Sequence, residues 1–118
     1  MKTFVLLAAL LAIMALAERA DAAFAIAFNA STGKAAAYNG SFDVEVAKKQ
    51  ALSACGSGCR IVASGKKNCV AVVESISTGT SAWAVAYGST TSVAASNGWH
   101  ECRRKGGVNC KTAAAICD

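Results

Sequence analysis

From Phe24 to Phe28 the chain alternates large and small side chains, Phe-Ala-Ile-Ala-Phe, and this period of two predicts a half-buried strand. Asn29-Ala30-Ser31-Thr32-Gly33 has turn composition, and residues 34 to 39 return as a second, weaker strand. Gly40-Ser41 then opens a helix, with Ser41 the expected N-cap and Asp43 and Glu45 in the first turn, where negative charge suits the helix dipole. Val44, Ala47, Ala51, Leu52 and Cys55 recur at helical spacing and predict its buried face. Gly56-Ser57-Gly58 stops the helix, and Arg60-Ile61-Val62-Ala63 reads as a third strand.

The second half repeats the order. Val70 to Glu74 pairs across residues 75–80 with Trp83-Ala84-Val85-Ala86-Tyr87, in which Trp83, Val85 and Tyr87 alternate as core positions. Ser89-Thr90-Thr91 caps a helix reaching about Lys105, expected to bury Ala94, Gly98, Trp99 and Cys102. Gly106-Gly107 ends it and Val108 to Ile116 supplies the last strand. Ser31-Thr32-Gly33 matches Ser77-Thr78-Gly79, and Cys55, Cys59 and Cys69 match Cys102, Cys110 and Cys117. The expected architecture is therefore α+β: a duplicated ββαβ unit, 24–69 and 70–117, with two helices packed on antiparallel strands.

Ahead of these units stand a basic start (Lys2), an apolar run from Phe4 to Ala17 and the small-residue triplet Ala20-Asp21-Ala22. That is the layout of a secretory signal peptide over 1–22, and the run is short of the roughly 20 residues a spanning helix needs. Cleavage after Ala22 leaves one small domain over 23–118, secreted to an extracellular or periplasmic space, with no transmembrane segment. Removing Lys2, Glu18, Arg19 and Asp21 takes two basic and two acidic residues, so the net charge stays at +5.

A domain this small, and this rich in alanine, buries little apolar surface, so covalent reinforcement is expected. Six cysteines supply it. They allow 15 pairings. Exchange symmetry of the two units and sequence proximity favour Cys55–Cys59 and Cys102–Cys110, each clipping a helix end to the following strand, and leave Cys69–Cys117 to staple the units together. Zinc is the competing use, but neither CGSGC nor CRRKGGVNC has the tight two-residue knuckle of structural sites, and no metal or other cofactor is expected.

Ala51-Leu52-Ser53-Ala54-Cys55, then Cys59-Arg60-Ile61-Val62, Lys67-Asn68-Cys69-Val70-Ala71-Val72 and Ala82-Trp83-Ala84-Val85-Ala86-Tyr87-Gly88-Ser89, resembles the small exported proteins grouped as domain of unknown function 4189. Trp99 to Cys102, Gly106-Gly107-Val108-Asn109-Cys110 and Cys117 extend the resemblance through the second half. The chain departs from it in opening with Ala-Phe-Ala in place of Trp-Gly, and in lacking Ala-Leu before Cys102. The resemblance implies a secreted disulfide-bonded module and carries no activity with it.

His100-Glu101 is the one acid–base neighbour pair, yet adjacent helical residues diverge by about 100° and do not converge on one substrate proton. A small hydrolase using His100 is the alternative reading. The basic residues cluster better: Arg103-Arg104-Lys105 ends the second helix, Lys66-Lys67 joins the units, and Arg60 opens a strand. Cations at a helix C-terminus also serve the dipole, but one basic face would meet an anionic protein or glycan. A cationic membrane-active protein is a third reading, and nucleic acid is not expected for an exported chain. Asn29-Ala30-Ser31 and Asn39-Gly40-Ser41 are glycosylation sequons, of use only in a eukaryotic source. The expectation is a non-enzymatic interaction module (an inhibitor, effector or surface component) using turns 29–33 and 75–80 and the basic face. Intact mass of the secreted protein should lack the leader and, on reduction, rise by two hydrogens per bridge; an unchanged mass would mean free thiols.

Overall fold

The large-and-small alternation in the first strand has a partner in the fourth, and together they organise the molecule. A computed structural model describes residues 22–75 and 82–118. Its elements are β1 (Ala23–Phe28), β2 (Ala35–Ser41), α1 (Val44–Cys55), β3 (Arg60–Gly65), β4 (Cys69–Ser75), β5 (Trp83–Gly88), α2 (Thr91–Arg104) and β6 (Cys110–Cys117). The ββαβ order occurs twice. Each occurrence forms a three-stranded antiparallel sheet, β2-β1-β3 and β5-β4-β6, with the first strand of the unit at its centre. Residues 1–21 of the expected leader and turn residues 76–80 lie outside the described residues.

β1 is buried on both faces, not the half-buried strand that its alternation predicts. Phe24, Ile26 and Phe28 point toward the other sheet and meet Val70 and Val72 of β4. Ala23, Ala25 and Ala27 point the opposite way, onto Ala47, Ala51 and Cys55 of α1. β4 repeats the division: Ala71 packs with Ala94, and Val73 with Cys102, under α2. The layers run helix, sheet, sheet, helix. Large side chains fill the middle, where each fully buried Phe, Ile or Val contributes about 1.5–3 kcal/mol; small ones let the helices approach.

That close approach explains two departures from the sequence pattern, and strand position explains a third. Ala47, Ala51 and Cys55 form the sheet-facing stripe of α1, so Leu52, one step round the helix from Ala51, stays 37% exposed. Ala94, Gly98 and Cys102 do the same in α2 and leave Trp99 39% exposed on the shoulder. Tyr87 follows Trp83 and Val85 on one face of β5 but lies near the end of that edge strand, 48% exposed. The first cap also shifts. Ser41 ends β2, and Asp43 is the N-cap of α1, its Oδ1 accepting from the Glu45 N–H at 2.9 Å. In α2 the Thr90 hydroxyl accepts from the Val93 N–H at 3.1 Å.

The six cysteines close as Cys55–Cys59, Cys69–Cys117 and Cys102–Cys110. Two of these tie a helix end to the next strand. The third differs in role from the expected staple: Cys69 opens β4, so its bond to Cys117 joins two neighbouring strands of the second sheet instead of bridging the units.

Gly98 shows how finely the helix height is set. A Cβ there would lie 2.7 Å from Cγ2 of Val73. In the first unit the same layer buries only alanines and Cys55, among them Ala51 and Ala27; in the second, a larger strand residue is matched by a smaller helical one. Gly98→Ala should therefore lower stability by about 1–3 kcal/mol through overpacking, although alanine is the better helix former. Adding Val73→Ala should recover part of the loss in denaturant unfolding; an additive or neutral pair would show that the two residues do not compete for space.

Candidate functional site

Strand register sorts the charged residues between two ends of the molecule. β4 begins at Cys69, opposite Gly88 and Cys117, and ends with Glu74 opposite Trp83 and Ser75 opposite Cys110. Seven residues of strand separate these ends by about 20 Å. Lys66 and Lys67 lie in the connection just before Cys69, at the first end. Arg103, Arg104 and Lys105 finish α2, whose last turn is tied to the second end by Cys102–Cys110. Arg60 opens β3 opposite Phe28, and its guanidinium stands 6.0 Å from the centre of the Trp83 ring, also at the second end. The expected single basic face is thus divided, with Lys66 and Lys67 apart from the rest.

The second end gathers two more cations. Lys111 of β6 lies opposite Glu74. The Lys34 ammonium lies near Gly56, 3.4 Å from where a Cβ on that glycine would stand. Six cations, Lys34, Arg60, Arg103, Arg104, Lys105 and Lys111, therefore share this end with two carboxylates, Glu74 and Glu101. Both short disulfides clip it, and the C-termini of both helices point to it. The helix ends account for part of the clustering, since cations there offset the dipole by about 0.3–1 kcal/mol.

Several of these side chains are held in place. Arg103 stacks 5.0 Å from the Trp99 ring, and the Lys105 ammonium donates to the Trp83 carbonyl at 3.1 Å. Phe28 supports Trp83 from the first sheet, with ring centres 5.2 Å apart. The partly exposed Trp99 thus serves as the seat of an arginine rather than as core. Arg103 over Trp99, four residues apart on a helix, has a sequence signal. Arg60 over Trp83 has none, because it forms between strands of different sheets. Lys34 was likewise invisible as a member, being placed by the fold of its turn.

His100 and Glu101 do not come together. The His100 and Trp99 rings stand nearly perpendicular with centres 5.2 Å apart, whereas the Glu101 carboxylate accepts from Arg104 at 2.5 Å. That hydrogen bond, first, and the charges of Arg104 and Lys105 hold Glu101 below the ordinary carboxylate range. Among the described residues no polar side chain is buried, and no three His, Cys, Asp or Glu groups stand where they would hold a metal. Asn29 Oδ1 accepts from the Ser31 and Thr32 N–H groups, shaping the β1–β2 turn. Asn39 lies on β2 and donates to the Cys117 carbonyl at 3.1 Å, linking the two sheets.

Burial pushes the Glu74 carboxyl above its ordinary value of 4.5, against the opposing pull of Lys111. A carboxyl raised in the folded state favours folding when protonated, so its contribution is lost as pH rises from the ordinary range through the raised one. Glu74→Gln should match the parent's stability in acid and exceed it at neutral pH. Thermal unfolding across that range checks the sign; a gap that narrows with rising pH would reverse it.

Neither curated proteins nor solved structures return a match to this chain. The family described as domain of unknown function (DUF4189) matches residues 23–117, spanning all the described strands and helices and all six cysteines, and the chain belongs to that family.

Proposed function

We propose that this protein is a secreted, non-enzymatic binding module whose clipped end engages an anionic macromolecule, an acidic protein surface or a polyanionic glycan. The observation that carries the reading is the gathering of six cations with two carboxylates at one end of a molecule whose net charge is +5. Six cations less two carboxylates place four of the five excess charges there, and a localised field raises encounter rates and orients a charged partner. Arg60 and Arg103 are seated on tryptophan rings and Lys105 on a carbonyl, so less side-chain entropy is lost when they meet a ligand. The disulfides Cys55–Cys59 and Cys102–Cys110 fix the same surface. The leader-like start and the pairing of every described cysteine support the secreted part of this reading.

Two double variants of equal charge change test the location. Arg103→Glu with Arg104→Glu should greatly lower the salt needed to elute the protein from an immobilised heparin disaccharide, too short to span β4. Lys66→Glu with Lys67→Glu should lower it much less. Equal losses would assign retention to net charge and defeat the proposal, as would full retention by the first variant.

A further inference from the structure

Two Asn-Gly steps occur in the chain, Asn39-Gly40 and Asn97-Gly98, and the fold treats them differently. Their amide groups are held alike: Asn39 Nδ2 donates to the Cys117 carbonyl at 3.1 Å, and Asn97 Nδ2 to the Tyr87 carbonyl at 3.0 Å. Their following nitrogens are not. Gly98 lies inside α2, buried, where its N–H belongs to the helical ladder and where even a Cβ would strike Val73. Gly40 lies on an edge strand at a break in register: Phe24 faces Asn39 and Ala23 faces Ser41, so Gly40 is the extra residue of a bulge. Such a residue is left out of the ladder. Its φ of 103° is in glycine's region, it is exposed, and a Cβ built there meets nothing within 4 Å.

The geometry points to Asn39 as a site of spontaneous modification, through attack of the Gly40 backbone nitrogen on the Asn39 side-chain amide carbon. The new bond is N–C, and the bond broken is that from the same carbon to Nδ2. Ammonia leaves, taking up the proton lost from the Gly40 nitrogen, and a five-membered succinimide remains. Water then opens either of its two carbonyls, giving aspartate or, with the backbone rerouted through the side chain, isoaspartate. No oxidant or reductant takes part.

The product has a structural consequence. A carboxylate cannot donate to the Cys117 carbonyl, so the hydrogen bond between β2 and β6 is replaced by repulsion between two oxygens. The link lost lies beside the Cys69–Cys117 bond, at the seam between the sheets. A glycan on Asn39 would occupy the same nitrogen, so glycosylation and this reaction exclude one another at that residue.

The experiment ages the purified, oxidised protein in mildly alkaline buffer and follows both asparagines by peptide mapping, beside Asn39→Gln and a reduced, unfolded sample. Asn39 should convert to a mixture of aspartate and isoaspartate while Asn97 in the folded protein stays intact, and the acidic form seen by isoelectric focusing should be missing from Asn39→Gln. On unfolding, Asn97 should convert at a rate approaching that of Asn39. Equal rates in the folded protein would overturn the inference, as would the same acidic form in Asn39→Gln. An Asn97 that stays inert when unfolded would overturn the role given to the helix.

Discussion

The pairing of β1 against β4 across the middle of the molecule is the constraint from which the rest follows. Phe24, Ile26 and Phe28 meet Val70 and Val72, and this apolar layer holds the two sheets face to face. Because side chains alternate along a strand, filling the middle with large residues leaves the intervening positions for the helices. Those positions are Ala23, Ala25 and Ala27 in one sheet and Cys69, Ala71 and Val73 in the other. Residues that are small there, or in the case of Val73 matched by Gly98, let each helix lie low on its sheet, and a low helix has room beneath it only for alanine, glycine or cysteine. The bulky Leu52 and Trp99 are displaced to the shoulders for that reason. The exposed tryptophan that seats Arg103 is thus a consequence of strand composition in the core.

The same constraint explains where the short disulfides sit. A helix resting on small side chains gains little from each contact, since a buried methyl or methylene contributes about 0.8 kcal/mol. Its end needs another restraint. Cys55 and Cys102 complete the buried stripes of α1 and α2, and each is bonded to the start of the next strand. Gly107 belongs to this arrangement: a Cβ on it would lie 2.7 Å from both sulfurs of Cys102–Cys110, so only glycine fits the turn that the clip encloses. Fastening both helix ends on one side also gathers the cations that follow them, and the clipped end becomes the basic end.

Much of the fold was legible because its signals are local. The alternation in Phe24–Phe28, the Thr90 cap and the glycines after Cys55 and Lys105 each mark an element within a few residues. Failures occurred where the deciding fact lay in another part of the chain. The double burial of β1 depends on a second sheet that its own alternation does not announce. Ser41 is pulled into β2 by pairing with Ala23, which passes the cap to Asp43. Cys69 counts as the end of the first unit by spacing but pairs as the first residue of the second sheet. The candidate site divides the same way: Arg103-Arg104-Lys105 is visible as a run, whereas Arg60 joins it only because Trp83 bridges the two sheets.

The strand that separates the two ends also decides how charge can act. Lys66 and Lys67 lie about 20 Å from the Arg103 cluster, beyond the Debye length of about 8 Å at physiological ionic strength. The two groups therefore cannot reinforce one another at a small anion. They would act together only on a ligand long enough to span β4, whereas the clipped end presents its six cations within one local field. A short acidic segment would feel only that end, and a long polyanion both. Affinity that rises in a step once an oligoanion exceeds the length of β4 would thus report the second pair of lysines, and it would do so without any change in the protein's shape.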